Sequence, residues 1–409
     1  MHAASVAARV GRAWFSVIVL TSSILVFATF LAFTLENAPT LSSLLFWFGL
    51  AGENNFGAWW SGMLLLVAAA FALDGSATAP GGSPASRGWR ALAALLAILS
   101  FDEIASLHEY LANSGLGYLA ALAVPLFALG CYSLWQLHSG NADRRALALI
   151  VVAFALLGTV PLQEIVQHSR EWPDRVIYGL RGAIEEGTEI VAILLLVAVT
   201  ATNTRTLLAR PGGTAFVFAR YRGVILVAAA ALAPVLIVAT FVLPYPGGPA
   251  DWLAAASYLG CALLVVRRVL AGQDPLDGRI VALLGLYVAA SAGSNAIKLV
   301  WDPVVLGTPV GLRGLFVAAL LVAAVPILRG AGRRANPLLF GIVAAAALIG
   351  SMWPHAQLLW CALPVLVALC VFAAESGVAA EALVAGAAPA AIAIPMSADS
   401  PAMRLRPPV

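Results

Sequence analysis

Three short stretches place proton-active side chains inside apolar sequence. LSFDEIASLHEYLA (99–112) sets Asp102, Glu103, His108 and Glu109 among Ala, Leu, Ile and Phe. TVPLQEIVQHSREW (159–172) brings Gln163, Glu164, Gln167 and His168 onto one helical face, and VIYGLRGAIEEGTEIVAILLL (176–196) does the same for Tyr178, Arg181, Glu185, Glu186 and Glu189. Carboxylates and imidazoles embedded in aliphatic sequence bind protons or hold cations. Within a bilayer each costs ~2.5–3.5 kcal/mol on insertion scales, so such groups are normally paired and mark a site or a pathway.

Charge balance narrows the chemistry. Asp102, Glu103, Glu109, Glu164, Glu185, Glu186 and Glu189 form the candidate cation- or proton-binding set, with Arg181 as their fixed counter-ion and His108 and His168 as titratable ones. The excess negative charge calls for protons on the carboxylates or for a bound cation. Metal ligation is permitted by the spacings: Glu164 and His168 at i, i+4, Glu185 and Glu189 at i, i+4, and Asp102 and Glu109 at i, i+7. A mixed carboxylate and imidazole set suits iron, manganese or zinc. No HExxH is present, and the Glu-x-x-His repeat of bundled di-iron proteins is absent. The plain alternative is a structural network in which Arg181 bridges Glu109 and Glu185, the other acids are protonated, and His168 is a polar helix end.

Glu185-Glu186-Gly187-Thr188-Glu189 resembles the Arg-Glu-x-x-Glu helix of the iron permease family, in which a Glu-x-x-Glu pair on a transmembrane helix handles the cation. The likeness covers these five residues, and Glu185 stands where that motif has Arg. It serves as an analogy for cation handling by Glu186 and Glu189.

The elements that must position these groups follow from composition. Hydrophobic residues make up 62% of the 409 and charged residues 11%, against roughly 25% charged in an ordinary soluble domain. Apolar runs long enough to cross ~30 Å of hydrocarbon recur along the chain. They predict an all-α polytopic membrane protein of about twelve spans, near 14–34, 57–73, 91–111, 117–137, 146–167, 177–200, 223–243, 251–270, 279–301, 312–329, 337–353 and 356–374. Arginine tests the count, because cytoplasmic loops should hold the positive charge. Arg9 and Arg12, Arg87 and Arg90, Arg144 and Arg145, Arg205 to Arg222, Arg267 to Arg279, Arg329 to Arg334, and Arg404 and Arg406 fall in every second connection. Both termini are therefore expected in the cytoplasm, with a bacterial cytoplasmic membrane as the setting.

Under this map the acids lie in the outer half of the membrane, in a pocket lined by spans two, three, five and six, with Asp102 and Glu185 each ~13 Å below the outer boundary. The third and sixth spans, matched in depth, are expected to touch. LSSLLFWFGLAGENNFGAWW (41–60) reads as an interfacial or re-entrant piece, with Glu53 beside the second span and Trp47, Trp59 and Trp60 at headgroup depth. DGSATAPGGSPASRG (74–88) reads as a flexible cytoplasmic linker. The first span imitates a secretory signal, but its long apolar run and the lack of a cleavage site make it a permanent helix. The cysteines Cys131, Cys261, Cys361 and Cys370 read as small core residues.

Three regions result: residues 1–200 as a six-helix half carrying the acidic and His cluster, 201–375 as a six-helix half that is mainly scaffold, and 376–409 as a disordered cytoplasmic tail. In the second half, Ser291, Ser294, Asn295, Lys298 and Asp302 form one stripe. Lys298, the sole lysine, either pairs with Asp302 near the interface or serves the acids as a second counter-ion. Charge this dilute excludes a nucleic-acid surface. The expected partners are the lipid bilayer and protons or a metal cation. No cofactor is dictated beyond a candidate divalent metal, and oligomeric state is not encoded legibly. Two functional classes fit: a proton- or metal-cation-coupled transporter, or an intramembrane metal-dependent enzyme acting on a lipid-like substrate. A purely structural membrane protein with a buried ion-pair network is the third reading.

Overall fold

The computed structural model describes residues 2–35, 55–105, 123–168 and 174–208, together with Ser42, Leu45, Phe48, Gly49, Leu50 and Trp252. The expected spans seven to twelve and the tail lie outside the described residues, as do Glu53, His108, Glu109 and Lys298. The described part is all-helical: α1 His2–Thr34, α2 Phe56–Thr78, α3 Pro84–Ala105, α4 Val124–Ser139, α5 Arg144–His168 and α6 Arg175–Leu208. Four stretches are long and apolar enough to cross a membrane: Phe15–Thr34, Phe56–Thr78, Arg144–Gln163 and Arg175–Leu207.

Helix ends are set by local chemistry. Asn55 opens α2 in an extended conformation, and its side chain accepts the Ala58 N–H, satisfying one of the donors a helix start leaves bare. Ala79 stops the same helix because Pro80 follows and disfavours helical backbone before it. Asp174 accepts the Val176 N–H at 2.8 Å and so starts α6. Between α4 and α5 the chain turns through Asn141, whose φ of 54° is a left-handed value that asparagine tolerates.

α2 is the centre of the bundle, packed against α3 and α6; α4 leans on α3, while α1 and α5 lie on α6. Alanines at the crossing, Ala68 and Ala72, are fully buried and let the backbones approach. Leu64, Leu65, Leu92, Leu96, Ile193 and Leu196 fill the core around them. Glycines do the same work at two close approaches. A Cβ on Gly57 would lie 2.1 Å from the Gly49 carbonyl oxygen, and one on Gly88 would lie 2.8 Å from the Leu137 backbone nitrogen.

Antiparallel succession gives the bundle two distinct ends. The arginine end gathers the starts of α1, α3 and α5 with the finishes of α2, α4 and α6, and carries Arg87, Arg90, Arg144, Arg145 and Arg205. The carboxylate end gathers the opposite termini, with Asp102 and Glu103 on α3 and Arg181, Glu185, Glu186 and Glu189 on α6.

Two expectations are corrected here. Residues 74–88 are not a flexible linker. Helix α2 runs on to Thr78 and α3 begins at Pro84, because Ser76 and Ser86 are completely buried and tie the two helices by hydrogen bonds, while the equally buried Asp74 is bonded by Thr204 of α6. Trp59, in the first turn of α2, is buried in the bundle, held in an aromatic group with Phe56 and Trp60. Cys131 is free and exposed, so it is not a core residue of the described helices.

Candidate functional site

The carboxylate end starts from the entry into α2. Ser42 donates to the Ala32 carbonyl at 2.8 Å, the Leu50 N–H donates to Thr29 Oγ1 at 2.7 Å, and Asn55 Nδ2 donates to the Gly49 carbonyl at 2.9 Å. These bonds fasten the chain before α2 onto the last turns of α1, within the 41–60 stretch read as interfacial. Trp60 Nε1 adds a bond to Ser22 Oγ on α1. The beginning of α2 is thereby fixed next to the groups on α3 and α6.

On α3, Asp102 and Glu103 are half-buried in the last turn and a half of the described helix. Beside them Ser100 is fully buried and accepts a 3.0 Å bond from Trp252 Nε1, while the Trp252 ring meets Phe101 edge-on at 5.3 Å. A residue of the second half of the chain therefore seats on α3 at the level of the acids. Trp252 had no role in the sequence reading; its position just inside an apolar run could have marked it only as one more interfacial aromatic.

On α6, Tyr178 and Arg181 face different neighbours. Tyr178 packs edge-on against Phe33 of α1 at 5.2 Å. Gly179 and Gly182 allow this contact, since a Cβ on either would come within 3.1 Å of the α1 atoms they face. Arg181 is half-buried and donates toward the carbonyls of Val166 and Gln163 on α5, at 3.4 and 3.5 Å. α5 carries Pro161 within the helix, and Gln163 bonds Thr159 Oγ1 in the same region. The guanidinium thus joins α6 to the last turns of α5. Glu185, Glu186 and Glu189 follow on α6, all half-buried. Asp102, Glu103, Arg181, Glu185, Glu186 and Glu189 each have an interaction partner.

Among the described side chains, the half-buried acids at this end of the bundle are Asp102 and Glu103 on α3 and Glu185, Glu186 and Glu189 on α6; Glu53, His108 and Glu109 lie outside the described residues. The expected approach of Glu109 to Arg181 lies outside the described residues. Among the described residues α3 packs on α2 and α4, and α6 packs on α2, α1 and α5, so α2 stands between the two acidic helices. Glu164 and His168 belong to the last turns of α5, with side chains outside the described residues. Among the described residues no three His, Cys, Asp or Glu side chains converge as a metal-holding group. A metal at this end would need donors from His108, Glu109, Glu164 or His168 as well.

The arginine end holds the polar residues the sequence reading passed over. Asp74 on α2 is completely buried, and Thr204 on α6 donates to its Oδ2. Asn203 Nδ2 donates to the Phe71 carbonyl at 3.4 Å, Ser86 Oγ to the Ser76 carbonyl at 3.2 Å, and Ser133 Oγ to the Gly88 carbonyl at 3.1 Å. Arg87 Nε donates to Gln136 Oε1 at 3.1 Å. The one available clue was Asp74 itself, an acid directly following an apolar run, which is more often a solvated loop residue.

A family described as Domain of unknown function (DUF8692) matches residues 9–202. That match starts within α1 and ends within α6, covering the helices described above. No curated protein and no solved structure matches the chain.

Proposed function

We propose that the chain is a proton- or metal-cation-coupled transporter of the bacterial cytoplasmic membrane, with about twelve spans, both termini in the cytoplasm and the carboxylate end facing outward. One observation carries the reading. Half-buried acids from two different helices, Asp102 and Glu103 on α3 and Glu185, Glu186 and Glu189 on α6, lie at the same end of a bundle in which four stretches are long and apolar enough to cross a membrane. Partial burial matters here. A fully enclosed carboxylate is closed to a hydrated metal cation, and a fully exposed one has no preference between ion and water; a half-buried group is both desolvated enough to favour a cation and open enough to receive it.

In this reading the acids accept a proton or a metal cation from outside, and Arg181 keeps the unloaded site from accumulating uncompensated charge. Beyond them the barrier is apolar. Residues 190–199 of α6, IVAILLLVAV, contain no polar side chain, and LLLVAAAFAL (64–73) on α2 and ALAALLAIL (91–99) on α3 match it. Ten such residues amount to ~15 Å of helix that charge cannot cross unless it is neutralised or the helices rearrange.

The test is solute flux and metal content of purified protein in liposomes, wild type against Glu185→Gln/Glu189→Gln. Cation-dependent flux lost in the variant, with folding intact by thermal melt, supports the transporter. Stoichiometric tightly held metal without flux would instead move the site to a metal-dependent enzyme working at the outer leaflet. Flux unchanged by the double substitution would exclude these acids from coupling. Topology is tested separately: a reporter fused after Gly140, in the turn at the arginine end, should lie in the cytoplasm, and one inserted near Gly247 should lie outside.

A further inference from the structure

We propose that Asp74 and Thr204 form a second proton-holding station at the arginine end of the bundle, on the far side of the apolar layer from the outer acids. The station stands on its own geometry; only its part in coupling rests on the transporter reading. Asp74 is 0% exposed and Thr204 8% exposed, and the Thr204 hydroxyl donates to Asp74 Oδ2 across the α2–α6 packing. From Glu189 to Thr204 the α6 axis rises ~22 Å, and Thr200 is the first polar side chain met on the way. The two polar levels are thus separated within each helix.

A threonine hydroxyl suits a carboxyl that changes protonation. It donates to the carboxylate when Asp74 is ionised. When Asp74 carries the proton, the hydroxyl accepts it as a hydrogen bond and turns its own hydrogen to the carbonyl one turn back on α6. Neighbouring threonines already use such backbone acceptors: Thr200 Oγ1 bonds the Leu196 carbonyl at 2.7 Å, and Thr206 Oγ1 the Thr202 carbonyl at 3.0 Å. Both states are hydrogen-bonded, so the pair tolerates loading and unloading without leaving a buried polar atom bare.

Fixed charge at this level comes from Arg87 and Arg90 on α3 and Arg205 on α6, all exposed. Arg87 donates to Gln136 and to the Gly82 carbonyl, and Arg90 to the Ser86 carbonyl. The apolar residues 190–199 of α6 and 64–73 of α2 stand between Asp74 and the outer acids, so the station takes up and gives back its proton toward the arginine end.

Infrared difference spectra of the full-length protein in lipid, between mildly acidic and alkaline buffer, test the station. The expected result is a protonated-carboxyl stretch that changes with pH in wild type, is lost in Asp74→Asn, and shifts in frequency in Thr204→Val while remaining in place in Thr204→Ser. Spectra of wild type and folded Asp74→Asn that superimpose would overturn the proposal. Where Asp74→Asn does not fold, an unshifted band in Thr204→Val overturns it equally. The same band should persist in Glu185→Gln/Glu189→Gln; its persistence there with flux abolished separates the station from the outer site, and its loss there assigns the band to the outer acids and sinks the station.

Discussion

The two ends of this bundle enclose their carboxylates to different degrees. At the arginine end Asp74, Ser76, Ser86 and Ser133 are fully enclosed, and each is tied to another helix or to its backbone. At the carboxylate end Asp102, Glu103, Arg181, Glu185, Glu186 and Glu189 are only half-buried although they carry most of the charge. Tightness of packing does not separate the ends. Gly57 at the carboxylate end meets the Gly49 carbonyl as closely as Gly88 at the other end meets Leu137. The difference lies in access. Both ends use enclosed polar groups to fasten the chain, Asn55 and Ser100 at one and Ser76 and Ser86 at the other, but only the carboxylate end leaves the acids within its helices partly open.

The largest expected effects probe the part the ends share. Gly57→Ala and Gly88→Ala each force a Cβ into backbone that cannot rotate away and should lower stability by about 3 kcal/mol, as overpacking does. Gly187→Ala, whose Cβ would meet Val26 Cγ1 at an ordinary 3.7 Å, should be neutral or stabilising by up to about 1 kcal/mol from helix propensity. Thermal melts in detergent read all three. A destabilising Gly187→Ala comparable to Gly88→Ala would mean that the carboxylate end of α6 is as closed as the arginine end.

An intermediate effect should come from Arg181→Ala, about 2 kcal/mol, because the α5 carbonyls lose a donor and the neighbouring acids lose a cation in a partly screened site. Adding Glu109→Gln should recover part of the loss. Equal melting temperatures of the single and double variants would show that Arg181 serves α5 and not the acids.

The smallest pair sharpens the contrast directly. Ser86→Ala removes the bonds to Ser76 in a fully enclosed site and should cost about 1–2 kcal/mol. Glu186→Gln, half-buried, should change stability by under about 0.5 kcal/mol while altering cation-dependent flux. Reversal of that order in melts and flux assays would mean that the acids, and not the serines, hold the bundle together.

Much of the helical layout was legible because periodicity and length are local properties. The spans read near 14–34, 146–167 and 177–200 each lie within one observed helix, α1, α5 and α6. The acids on α3 and α6 were legible for the same reason: an ionisable group inside an apolar run is conspicuous in one dimension. The arginine-end network was not. Asp74 and Thr204 are 130 residues apart, and Gly, Ser and Pro between 74 and 88 carry the composition of a solvated linker whether or not a neighbouring helix encloses them. Burial of a serine or an aspartate is decided by what lies across from it.

Sequence alone determined that this chain forms long apolar helices and that α3 and α6 carry acids within apolar runs, because hydrophobic length and charge spacing act within each segment. Tertiary structure decided which helix stands between which. It placed α2 between the two acidic helices, turned Arg181 toward the carbonyls of α5, seated Trp252 on Ser100 and enclosed Asp74 beneath Thr204. Those outcomes depend on small residues such as Ala68, Ala72 and Gly88 allowing particular pairs of helices to approach, and a pairwise fit is a property of two surfaces that neither segment carries by itself.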